Sequence, residues 1–160
     1  MKVQIVHLED TAKVSFYTAQ IVNHKLENLG HDEYYKFQTK FQDDKDKRQL
    51  KEIEKKIKLI GQRYGANEEQ FGSEGAFERL PSSTYKFFDS DSDGITDYGL
   101  RLYCIRVNDK AVVLLNGGRK TQQNPRKCPN CKIPFEFADK LSKAFYDAKV
   151  SGDIEIEGMK

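Results

Sequence analysis

The sequence predicts an α+β domain with a small central antiparallel sheet, a helical hairpin on its N-terminal side and one helix after it. Four observations carry this expectation. Residues 100–107 alternate, with Leu100, Leu102 and Cys104 on one face and Arg101, Tyr103 and Ile105 on the other. After the turn dipeptide Asn108-Asp109, residues 111–115 are continuously apolar, as expected of a strand covered on both faces at the centre of a sheet. Tyr34, Phe37 and Phe41, then Leu50, Ile53, Ile57 and Ile60, recur at helical spacing. Pro134 opens a third helical pattern through Phe137, Leu141, Ala144 or Phe145, and Ala148.

The remaining elements follow in chain order. In residues 2–8, Val3 and Ile5 alternate with Lys2 and Gln4, and in 13–18, Val14 and Phe16 alternate with Ser15 and Tyr17. A turn at Glu9-Asp10-Thr11 makes these a hairpin. A helix through 12–29 is the alternative, because Val22, Leu26 and Leu29 also fit a helical stripe. The run Asp43-Asp44-Lys45-Asp46 interrupts the apolar stripe and is suited to cap the second helix, which Gly61 or Gly65 would end. Residues 66–99 carry four glycines, Pro81 and a net charge of −6, and read as a long surface connection with a short strand at 84–88. Gly152 closes the last helix, and Ile154 and Ile156 alternate with acids in a terminal strand.

A chain of 160 residues is one domain's worth, and ten Phe with eight Tyr supply its core in the absence of Trp. No apolar run approaches the roughly 18 residues of a membrane span. The opening MKVQIVHLED lacks a signal-peptide core, so a cytoplasmic protein without a membrane partner is expected. Three cysteines make no disulfide framework and fit a reducing compartment. The net charge of +2 conceals a partition: residues 100–132 carry +7 and residues 36–58 carry +4. That distribution, rather than the total, bears on polyanionic partners.

Three constellations can carry chemistry. Asp89, Asp91, Asp93, Gly94 and Asp97 resemble a calcium loop, but Leu100 stands where a bidentate Glu belongs. Cys128-Pro129-Asn130-Cys131 offers two thiolates where structural zinc needs four ligands, so a complete site would need a second copy of the pair. The pair does not sit between a thioredoxin-like strand and helix, which argues against a redox role. The third constellation is cationic. Pairing Val107 with Lys110 across the turn sets Arg101 opposite Asn116, near Arg119 and Lys120, a convergence suited to phosphate. Arg106, Arg126 and Lys127 extend the basic surface.

The segment YGLRLYCIRVNDKAVVLLNGGRKTQQNP, residues 98–125, is similar to the core of RelE/HigB-like toxins, especially the phage-derived branch. Arg101, Arg106, Val113-Leu114-Leu115, Gly117, Lys120-Thr121 and Pro125 hold the places of that family's strand, apolar strand and exit motif. The resemblance covers residues 31–150, leaving 1–30 as an N-terminal hairpin extension and 151–160 as a terminal strand. It implies a RelE-like fold and a bacterial, mobile-element toxin, or a ribonuclease derived from one. Such a protein cleaves mRNA at the ribosome without a cofactor and is silenced by a helix-turn-helix antitoxin. By position, Arg101 with Arg119 or Lys120 would hold the scissile phosphate, and Tyr103 would stack on a base or assist proton transfer. Arg106, Arg126 and Lys127 would contact RNA. The acidic segment 66–99 and the lack of any His after His31 depart from the family pattern. The alternative is a non-catalytic phage or plasmid interaction module on the same fold, binding calcium through Asp89 to Asp97 or zinc through Cys128 and Cys131.

Overall fold

Period-two patterning at the N-terminus produces a hairpin, in which β1 (Lys2–Asp10) pairs antiparallel with β2 (Ser15–Val22). The computed structural model describes residues 2–87 and 99–151. Thr11 closes the turn, its backbone N–H donating to the Val14 carbonyl at 2.9 Å and its hydroxyl to the same oxygen at 2.7 Å. The helical alternative for 12–29 does not form. Val22 ends a strand, and Leu26 and Leu29 are exposed beyond it.

Two helices follow, each started by an aspartate. Asp32 caps α1 (Glu33–Thr39) by accepting the Tyr35 N–H at 2.9 Å, and Asp43 caps α2 (Asp44–Leu59) by accepting the Lys45 N–H at 2.7 Å. The helix widens into a π turn over Ile60–Tyr64, and Gly65 ends it with a φ of 73°. Helix α1 rests on β2 and on a later strand, while α2 rests on another. Gln38 Nε2 donates to Glu54 Oε2 at 3.4 Å between them. The expected helical hairpin is thus two helices laid mainly against the sheet rather than against each other.

The segment read as a surface connection contributes two short strands, β3 (Gly72–Ser73) and β4 (Glu78–Leu80). The strand expected at 84–88 is absent over its described residues, 84–87. The pairing occurs earlier because Phe77 and Leu80 anchor opposite faces, and Pro81, lacking an N–H, stops it. The calcium-like loop of Asp89, Asp91, Asp93 and Asp97 lies outside the described residues, as does the terminal strand.

The central hairpin, β5 (Gly99–Asn108) and β6 (Ala111–Lys120), forms where the sequence places it and runs longer. Asn108 pairs with Ala111, however, so its turn is Asp109-Lys110 rather than Asn108-Asp109. The six strands take the order β1-β2-β6-β5-β4-β3. Strands β2 and β6 are parallel, so the sheet is mixed rather than antiparallel. The chain between them passes through both helices and three strands, which allows it to return in the same direction, whereas a short turn cannot. Helix α3 (Lys132–Ser151) covers the face opposite α1 and α2. The alternation of β5 therefore serves two cores. Leu100, Leu102 and Cys104 join Phe37, Leu50, Ile53 and Ile57 on one side; Tyr103 and Ile105 join Phe135, Ala138 and Phe145 on the other.

Candidate functional site

Strand alternation sorts the cations before any side-chain packing does. Arg101 lies opposite Gly118 and Gly99 opposite Lys120, not Arg101 opposite Asn116 as expected. The offset of two residues arises at the turn, where Asn108 pairs with Ala111 instead of Val107 with Lys110. The bulges at Val107 and across Leu115 and Asn116 shift the ladder in opposite directions and cancel. Arg101 and Lys120 consequently share the α3 face. Arg79, on the neighbouring strand β4, pairs with Tyr103 and joins that face. Arg79, Arg101 and Lys120 thus occupy three adjacent strands.

One carboxylate serves this group. Glu74, in the turn between β3 and β4, meets Arg79 Nε at 2.9 Å, and both side chains are nearly buried. Burial, then repulsion from Arg79, lowers the Arg101 pKa to about 10, with Glu74 opposing the shift. Burial also lowers that of Lys120, with Glu74 opposing the shift and Arg101 and Arg79 reinforcing it. Arg101 Nη1 donates to the Leu100 carbonyl at 3.0 Å, but its Nε is buried with no hydrogen-bond partner among the described residues. A partly desolvated set of three cations around one carboxylate, with a donor left over, has the chemistry that suits an anion.

Arg119 is not in this group. It faces the other side of the sheet, where it pairs with Asp46 and donates to Gln49 Oε1 at 3.2 Å. Gln49 Oε1 also accepts the Leu100 N–H, at 3.1 Å, so Arg119 ties β6 to α2. Arg106 lies toward the other end of β5, donating through Nε to the Ala66 carbonyl at 2.6 Å and pairing with Asp109. Arg126 is on the α3 side, 5.3 Å from the Phe135 ring centroid, and Lys127 is exposed beside it. Comparison with known proteins finds no matching family model, curated protein or solved structure.

Tyr103 forms the floor of the cluster. Its ring is fully buried, with centroids 5.4 Å from Phe77 and 5.7 Å from Phe135, so it presents no face to a base. Burial pushes its hydroxyl pKa well up, with the charge and hydrogen bond of Cys131 and the charge of Glu74 adding to the shift. Beside it lie Cys128 and Cys131, both buried at the entrance to α3. Among the described residues no three His, Cys, Asp or Glu side chains converge as metal ligands. Arg79 and Glu74 went unread in the sequence because β4 is three residues long and Glu74 lies in the turn before it. The available signal was the spacing of Phe77 and Leu80 around Arg79.

Proposed function

We propose that the chain is a RelE/HigB-like toxin, or a ribonuclease derived from one, that cleaves mRNA by internal attack of a ribose 2′-oxygen. The observation that carries this reading is the row of Arg79, Arg101 and Lys120 on adjacent strands, with Arg101 Nε left unpartnered. The order of a helix pair, a long central hairpin and a closing helix supports it as well.

In this mechanism Arg101 and Arg79 hold the scissile phosphate and neutralise the charge that grows on its oxygens as the fifth bond forms. Glu74 gives up its contact with Arg79 to the phosphate and accepts the proton of the 2′-hydroxyl. Lys120, made more acidic by its setting, protonates the departing 5′-oxygen. The products are a 2′,3′-cyclic phosphate and a 5′-hydroxyl. Arg119 keeps the sheet end in place through Asp46 and has no direct part.

Induction of the chain in bacteria tests the reading. Growth should arrest, and Arg101→Ala with Lys120→Ala should restore it while the variant stays folded. Purified protein should leave cyclic phosphate ends on RNA. Normal growth together with RNA binding but no cleavage would overturn the enzymatic reading and leave the interaction module.

A further inference from the structure

The proposed cleavage makes no use of Cys128 and Cys131, and the sequence pattern argues against a redox role for them. The structure, however, sets the pair after β6 and directly at the start of α3, a placement with its own chemistry. The Cys131 N–H donates to the Cys128 carbonyl at 3.1 Å, the Lys132 N–H donates to the same oxygen at 3.0 Å, and the Phe135 N–H donates to the Cys131 carbonyl at 2.8 Å. The helical ladder therefore begins at Cys128, and the two thiols lie together, hydrogen-bonded, in the turn that leads into α3. The Thr121 N–H points at Cys128 Sγ at 3.5 Å and the Thr121 hydroxyl lies 3.7 Å from it. Cys104 is buried on the opposite face of the sheet, in the other core.

We propose that Cys128 and Cys131 are a redox-active dithiol that exchanges with low-molecular-weight disulfides to form an intramolecular disulfide. The electrostatics fit the two roles such exchange requires. Burial opposes ionisation of Cys128, but hydrogen bonds from the Thr121 N–H, Cys131, the Thr121 hydroxyl and the Asn130 N–H outweigh it and bring its pKa to about 7. Cys131 is pushed up to about 12, by burial first and then by the hydrogen bond and the charge of Cys128. Cys128 is the attacking thiolate and Cys131 the protonated thiol that resolves.

With oxidised glutathione, the Cys128 thiolate attacks one sulfur, the glutathione S–S bond breaks, and one glutathione thiolate leaves. Cys131 then loses its proton to solvent and its sulfur attacks that of Cys128, expelling the second glutathione thiolate. Two protein thiols become one disulfide as one oxidised glutathione becomes two reduced molecules. Cys128 is buried in the α3-side core, with the Arg119 carbonyl 3.4 Å from its sulfur. Thr121, the first residue of the exposed polar stretch 121–124, also meets the sulfur, so entry requires that stretch to move aside.

Equilibrating the full chain in buffers of reduced and oxidised glutathione, then trapping free thiols by alkylation after denaturation, tests this. As oxidation increases, two of the three cysteines should become unavailable, with the Cys128 and Cys131 peptides linked and Cys104 alkylated. Cys131→Ser should hold glutathione on Cys128, and Cys128→Ser should acquire it at least about tenfold more slowly. If either variant fails to fold, the linked peptide from the wild-type chain decides. Three free thiols throughout, or glutathione spread equally to Cys104 in folded protein, would overturn the proposal.

Discussion

Arg119 and Lys120 are neighbours in the chain, yet strand alternation sends Arg119 to Asp46 and Gln49 and Lys120 toward Arg101. The basic residues of the segment were legible from composition; which of them the protein spends internally was not, because Asp46 and Gln49 lie some seventy positions away. Lys120 supplies a pH prediction. Its setting lowers its pKa below the ordinary lysine value, so anion binding should weaken as pH rises through that lowered range. Folding stability should move the other way, because the unfolded chain holds the proton more readily than the folded one. Phosphate titrations and denaturant midpoints across this window separate the two effects, and Lys120→Arg should retain binding to higher pH. Parallel loss of binding and stability would contradict the assignment.

The hairpin of β5 and β6 shows what patterning reveals about an element and what it leaves hidden. Alternation identified both faces of β5 correctly, since burying Leu100, Leu102 and Cys104 on one side leaves Arg101 and Tyr103 on the other. Register was not legible, because the turn closes one residue later than Asn108-Asp109 and the two bulges that follow depend on local fit rather than on hydrophobic period. Gly117 marks that fit. A Cβ there would stand 1.8 Å from the Arg101 carbonyl oxygen, and Lys40 Nζ bonds both the Gly117 carbonyl and Asn116 Oδ1. Gly117→Ala forces two backbones apart and should cost about 3 kcal/mol. It should also displace Arg101 relative to Lys120, so phosphate binding should fall even at temperatures where the variant remains folded. Calorimetry and a phosphate titration on one preparation check both outcomes.

At the scale of the molecule, two cores flank one sheet and the basic group sits at one end of it. The helical stripes and the central apolar run announced the layers, but the parallel pairing of β2 with β6 left no local trace, being set by the path of the intervening chain. With three clustered cations, the logarithm of single-stranded RNA affinity should fall against the logarithm of salt with a slope of about −2. Arg101→Ala should make that slope shallower. Arg119→Ala should leave it unchanged while removing roughly 2 kcal/mol of stability, since it strands Asp46 against the sheet. The parallel pair also has a consequence for biosynthesis. The Thr18 hydroxyl donates to the Leu114 carbonyl across 96 positions, so β2 leaves the ribosome long before its neighbour exists. Until β6 emerges, the first hairpin waits with an open flank, and Lys120 has not yet joined Arg79 and Arg101. The basic group on which the proposed affinity for a polyanion rests is thus completed late in translation.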